Sequence, residues 1–191
     1  MTATQNDGTA PIAVVAAFQL KGDAAEFEKI LREQGELMLA GDGFQYGVLA
    51  RATDSPTTYV SVAWWRDSMS YLSVVRSYAF ASRAMSGVGR LADTRLDRLV
   101  PLTGDGSLLP PAGSDDAVLG LSEYTLDEGA DAAAFEREAV AAGAVAGRSL
   151  VRAGGYTALT WGGDAAVWTP RGARATTVRY EPVSVSAPAA V

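Results

Sequence analysis

The residues of this chain that could do chemistry gather in one stretch, TYVSVAWWRDSMSYLSVVRSY at 58–78. It sets Trp64 and Trp65 at the end of an apolar run. An Arg-Asp turn follows, then Tyr71, Arg76 and Tyr78 at helical spacing, with Phe80 two residues on. The segment Phe44-Gln45-Tyr46-Gly47 reads as a neighbouring strand and adds rings and an amide. The groups available are aromatic faces, a guanidinium, phenols and a carboxamide. The chain has no His and no Cys, which excludes disulfides, Cys or His zinc sites, thiolate or His-ligated haem, and any triad or acid/base pair built on imidazole. Chemistry here must come from carboxylates, Arg, Tyr, Trp, backbone or a borrowed cofactor.

Each of these residues also has a purely structural reading. Two tryptophans at a strand end suit a core or an interface. Arg76 on a helix suits a solvated or salt-bridged surface. Tyr71 and Tyr78, seven residues apart, suit ordinary helix packing. The sequence shows no metal-binding cluster, no glycine-rich phosphate loop between strand and helix, and no G-x-S-x-G elbow. With 16 Lys+Arg against 22 Asp+Glu the net charge is −6, so a nucleic-acid partner is not expected, because its phosphates would be repelled. Hydrophobic residues make up 48 %, the share a folded core needs and a disordered chain lacks. The first residues lack a basic n-region and an apolar h-region, and no run approaches the roughly 20 apolar residues of a membrane span. A cytoplasmic protein without membrane contact is therefore expected.

The elements that must position these residues follow from periodicity. Ile12 to Leu20 is an apolar, β-branched strand ended by Gly22-Asp23. Ala24 to Ala40 carries Phe27, Ile30, Leu31, Leu37 and Met38 on one face and charges on the other, an amphipathic helix capped by Asp23. Phe44 to Arg51 and Thr57 to Trp65 are strands around Thr53-Asp54-Ser55-Pro56. Alternation along the second of them puts Trp64 and Trp65 on opposite sheet faces. A second helix is expected from Asp67 or Ser68 to about Ala84, then a strand from Thr94 to Leu102. The order β-α-β-β-α-β over 11–103 is the ferredoxin-like arrangement, with helices on one face of an antiparallel sheet. Its bare face must be covered by a second copy.

The second half of the chain supplies that copy. AAEFEKI at 24–30 resembles AAAFERE at 132–138, VLARA at 48–52 resembles SLVRA at 149–153, and YVSVAWW at 59–65 resembles YTALTWG at 156–162. These matches pair Phe27 with Phe135, Arg51 with Arg152 and Trp64 with Trp161; the two arginines are candidates for ion pairs between the copies. GGDAAVWTPRGARA at 162–175 reads as turns around a short strand, so the second copy is degenerate and lacks its second helix. The expected organisation is a flexible N-terminus at 1–10, a ferredoxin-like domain at 11–103, a Pro/Gly/Ser/Asp linker at 104–116, a degenerate repeat at 117–183 and a flexible tail at 184–191. The fold class is α+β, two fused ferredoxin-like halves whose sheets face each other as a pseudo-dimeric barrel.

A βαββαβ module whose third strand ends in W-W-x-D-S and runs into a helix with a downstream Arg resembles the antibiotic biosynthesis monooxygenase group of dimeric α/β barrels. The resemblance covers about 11–103, and the second half resembles the group weakly. Duplicated tailoring oxygenases that cleave angucycline rings have a similar layout. The resemblance implies oxidation by O₂ of a flat, electron-rich polyketide such as an anthrone or hydroquinone. The cofactor would be none, or a reduced flavin (FADH2 or FMNH2) delivered by a separate reductase, without haem or metal. A homodimer is a further expectation. Holding a phenol of pKa ~10 as phenolate at neutral pH means offsetting about 3 units, or about 4 kcal/mol. One Arg contributes about 1.5 to 3 kcal/mol, so Arg plus a further donor suffices. On this reading Arg76, Tyr71 and Trp65 are the catalytic set, and Trp64, Gln45, Tyr46, Tyr78 and Phe80 bind substrate. Two other readings stay open: a polyketide cyclase or isomerase, and a non-catalytic accessory protein that binds an aromatic ligand.

Overall fold

Strict alternation in the first strand sets the architecture. In the computed structural model, which describes residues 10–83, 87–102, 108–162, 168, 170 and 172–188, β1 (Ile12–Leu20) sends Ala13 and Val15 to one face and Val14, Ala16 and Phe18 to the other. Both faces are covered, so the strand is apolar almost throughout. Helix α1 (Ala24–Leu39) follows, its first turn capped by Asp23, whose carboxylate accepts the Glu26 N–H at 2.8 Å. Strands β2 (Phe44–Ala52) and β3 (Thr58–Trp65) form the hairpin. Asp67 then caps α2 (Ser68–Val75) by accepting the Ser70 N–H at 2.7 Å.

Here the structure departs from the sequence expectation. The helix expected to run from 68 to about 84 is two helices, α2 and α3 (Tyr78–Arg83). Ser77 interrupts it by capping the second piece, its Oγ accepting the Phe80 N–H at 3.3 Å. A short α4 (Gly89–Leu91) leads into β4 (Ala92–Pro101). The second half repeats the opening with β5 (Leu119–Leu126), α5 (Ala132–Ala141), β6 (Val145–Ser149) and β7 (Gly155–Trp161), and ends with β8 (Ala173–Ser186). The expected loss of a second helix there falls at 163–167, outside the described residues. Strand β8 runs three residues into the segment expected as a tail.

The eight strands close into one antiparallel barrel in the order β1-β3-β2-β8-β5-β7-β6-β4. Each half contributes its strands in the same relative order, so each half's second strand pairs with the last strand of the other. One junction is β2 with β8, from Gly47↔Ser186 to Ala52↔Tyr180. The other is β4 with β6, from Leu99↔Ser149 to Pro101↔Gly147. The interior is filled by Ala13, Val15, Val60, Val62, Trp64, Leu119, Leu121, Leu159 and Tyr180. Leu108, in the expected linker, is buried there too, and its carbonyl accepts the Trp64 indole N–H at 2.6 Å. Arg152 does bridge the halves, its Nε lying 2.9 Å from the buried Asp97 carboxylate of β4. Among the described residues no helix is long and apolar enough to cross a membrane.

Candidate functional site

The outer face of the first half's sheet carries a row of small side chains beneath the helices. Ala16 of β1, Ser61 and Ala63 of β3 and Gly47 of β2 lie side by side, since Val14 pairs with Ala63, Ala16 with Ser61, and Gly47 with Ala63. Gly47 is required by its neighbour: a Cβ there would meet the Phe44 ring at 2.9 Å. With little filling the floor, a cavity of about 380 Å³ remains between sheet and helices. Its roof is Leu31, Gln34 and Met38 of α1, Tyr71 and Val75 of α2, and Phe80 of α3. That volume falls in the range of small-molecule sites, about 300 to 1,000 Å³. Among the described lining residues none is charged. The polar groups are Gln34, Ser61, Tyr71, Thr94, Ser184 and Ser186.

The structure brings some of the expected residues together here and leaves others elsewhere. Tyr71 and Phe80 line the cavity. Trp65 is fully buried behind them, its ring 5.9 Å from Tyr71 and 5.2 Å from Phe44, and its indole N–H has no hydrogen-bond partner. Trp64 points the other way, into the barrel, as alternation requires, and Tyr46 follows it with a ring separation of 5.4 Å. The Tyr46 hydroxyl donates to Asp115 at 3.1 Å, and burial together with that carboxylate pushes its pKa up. Neither Trp64 nor Tyr46 lines the cavity. Gln45 is the extra residue where the register shifts between Phe44 and Tyr46, and it is exposed. Arg76 is the exposed residue that ends α2, and Tyr78, just past the break at Ser77, is 88 % exposed. The break turns the α3 start away from the face an unbroken helix would have presented.

Arg98, not Arg76, is the cation whose charge acts on Tyr71. It pairs with Val14, a floor residue, on the outer face of β4. Burial raises the pKa of the Tyr71 hydroxyl and the charge of Arg98 works against that rise. With burial the larger effect, Tyr71 is a neutral donor at physiological pH. Arg98, Gln34, Ser184 and Ser186 were not singled out by reading the sequence. Gln34 had a signal. It interrupts the apolar stripe Phe27, Leu31, Met38 on the buried face of α1, where a core position would call for Leu or Met. The two serines had none, because their place depends on the β2·β8 junction, where they pair with Leu49 and Gly47.

Residues 11–82 match the model of the family described as antibiotic biosynthesis monooxygenase, the group the sequence resembles. No curated protein matches the chain. Three solved structures align along nearly the whole chain. An anthrone oxidase-like protein shares 13 % identity over 100 % of this chain and 99 % of that chain, with a TM-score of 0.65. A candidate monooxygenase from Lactobacillus acidophilus NCFM shares 13 % over 95 % and 98 %, with a TM-score of 0.68. Another from Fusobacterium nucleatum shares 9 % over 94 % and 95 %, with a TM-score of 0.71. These likenesses show the fold, two ferredoxin-like halves fused in one chain.

Proposed function

We propose that this chain is an oxygenase that uses O₂ to oxidise a flat, electron-rich aromatic of the anthrone or hydroquinone type, as in the tailoring of an aromatic polyketide. The observation that carries this reading is a cavity with no charged residue among its described lining, three of whose walls, Phe44, Tyr71 and Phe80, belong to the segment that matches the family model. Such a substrate needs little from the protein. Once it has lost a proton it gives an electron to O₂, and the two radicals join as a peroxide. The peroxide takes up a proton and expels water as the remaining C–H is lost. In sum a CH₂ group and O₂ become a C=O group and H₂O.

Among the described lining residues there is no carboxylate, so the first proton passes to a water molecule and the protein's task is lowering the cost of the substrate anion. A neutral donor to an ionised oxygen contributes about 1.5 to 3 kcal/mol. The Tyr71 hydroxyl is one such donor. It meets part of the roughly 4 kcal/mol needed for a phenol at neutral pH, and Trp65, packed behind it with rings 5.9 Å apart, holds its ring in place. Exclusion of water by Val14, Leu31, Met38 and Phe80 strengthens the Tyr71 bond. The lining does not fit a flavin alongside the substrate: none of its described residues is Lys or Arg to meet a flavin phosphate, and 380 Å³ lies at the small end for one ligand.

The test is oxygen uptake with 1,8-dihydroxyanthrone, run with and without a flavin reductase system. Uptake above the uncatalysed rate without flavin, with the anthraquinone as product, is expected. Tyr71→Phe should lower kcat by about 10- to 100-fold, the loss of one hydrogen bond to an ionised oxygen. No uptake in either tube would sink the oxygenase reading, and a product of unchanged oxidation state would replace it with the cyclase.

A further inference from the structure

One side of the cavity is polar, and two parts of the chain far apart in sequence build it. Gln34 sits on the buried face of α1, 6 % exposed, between Leu31 and Met38. Its side-chain nitrogen is buried and has no hydrogen-bond partner. The next residue, Gly35, lies so close to the end of β8 that a Cβ would come within 2.8 Å of the Ser186 hydroxyl. Ser186 pairs with Gly47 and Ser184 with Leu49, so both belong to the same stretch of floor. A carboxamide from α1 of the first half and two hydroxyls from the last strand of the second thus line the same cavity.

A buried amide without a partner is costly, and a Met or Leu in its place would complete the apolar stripe without that cost. Among the described residues none pairs with its nitrogen. What it can do is present a donor and an acceptor to a molecule in the cavity, and in either orientation of the amide both are available. We propose that Gln34, with Ser184 and Ser186 lining the same cavity, binds an oxygen atom of the aromatic substrate, a carbonyl or a phenol, and so selects oxygenated polycyclic compounds over hydrocarbons of the same outline. The inference rests on the cavity being an aromatic substrate site. It adds to that reading the group that decides which aromatic is accepted. The cost of leaving Gln34 unpaired is what turns an apolar slot into one that discriminates, because a ligand lacking the oxygen restores nothing.

The experiment compares binding of two probes to the full chain by quenching of its tryptophan fluorescence: 1,8-dihydroxyanthraquinone, which carries oxygens along its edges, and anthracene, which has the same outline and none. The Gln34→Met variant keeps length and removes the polar atoms. It should bind the quinone roughly tenfold more weakly, about 1.4 kcal/mol, bind anthracene within twofold of the parent, and melt at the same temperature or higher. Equal quinone affinity in variant and parent would overturn the proposal while leaving the aromatic site in place. Loss of both probes together, or a variant that does not fold, would also overturn it, since Gln34 would then serve the fold. A parent chain that binds neither probe would remove the aromatic site itself and this proposal with it.

Discussion

The two halves share a framework and differ in what lies inside it. Asp23 caps α1 and Asp131, 108 residues on, caps α5 in the same way. Phe27 packs edge-on against Tyr59 at 5.1 Å, and Phe135, again 108 on, packs against Tyr156 at 4.5 Å. The Tyr59 hydroxyl donates to Glu28 at 2.9 Å and the Tyr156 hydroxyl to Glu136 at 2.9 Å. Helix is pinned to sheet by the same cap, the same aromatic pair and the same hydrogen bond. Above that shared base the halves part. Helix α1 has 16 residues and α5 has 10. In the second half Trp168 lies 4.7 Å from Phe135 and 5.4 Å from Tyr124, and its carbonyl accepts the Tyr124 hydroxyl at 2.7 Å. The second half thus adds a tryptophan ring against its helix-to-sheet aromatic pair, where the first half's helices roof a cavity. The lesson is a division of labour: one copy keeps room for a ligand, while the other closes the barrel and lends Ser184 and Ser186 to its partner's site.

The largest expected effect tests whether the shared framework is equally important on both sides. Phe27→Ala and Phe135→Ala each remove a fully packed ring between helix and sheet and should each cost about 3 to 5 kcal/mol, measured by urea unfolding. Only Phe27→Ala should also change affinity for 1,8-dihydroxyanthraquinone, because α1 roofs the cavity. A loss below about 1 kcal/mol for Phe135→Ala would mean that the second half is not a packed copy, and equal effects on affinity would erase the distinction between the halves.

A smaller effect spans both halves. Of the seven tyrosines, six have pKa values raised, first of all by burial: Tyr46, Tyr59 and Tyr71 in the first half, Tyr124, Tyr156 and Tyr180 in the second. Tyr156 is pushed to about 12, with Glu136 adding to the effect of burial. Below the unfolded value of about 10 both states keep these protons, and the stability is fully present. As pH rises past 10 the unfolded chain loses protons that the folded chain keeps, so stability falls. The unfolding midpoint should hold from pH 8 to 10 and drop above it, with phenolate absorbance appearing together with loss of structure. Ionisation of these tyrosines well before unfolding would contradict their burial.

Much of the framework was legible because it is periodic. Alternation assigned Trp64 and Trp65 to opposite faces, the i, i+4 stripe of α1 announced the buried side, and the Phe27 and Phe135 match announced the repeat. The site was legible only where it follows from those periods, as with Tyr71 and Phe80. Tyr78 lies off the cavity because one capping serine, Ser77, resets the helix, a local competition that apolar spacing does not register, and Arg76, one residue past the lining Val75, ends α2 on its exposed side. Gln45 was misplaced because a bulge adds a residue that alternation cannot see. Ser184 and Ser186 were hidden for another reason: their role depends on a pairing between strands more than a hundred residues apart, in a stretch whose composition suits a tail.

The smallest expected effect sharpens the comparison most, because it asks for equality. Tyr59→Phe and Tyr156→Phe keep each ring and its contact with Phe27 or Phe135 and remove only the hydroxyl that donates to Glu28 or Glu136. Each should cost about 0.5 to 1.5 kcal/mol, the net worth of one such hydrogen bond, and the double variant should cost the sum, since the two pairs lie in different halves with no shared partner. Urea unfolding of the three variants checks this. A cost confined to Tyr59→Phe would show that the hydrogen bond matters only under a helix that has to stand over an open cavity. On that outcome Trp168, not the Tyr156 hydroxyl, is what holds the second helix down.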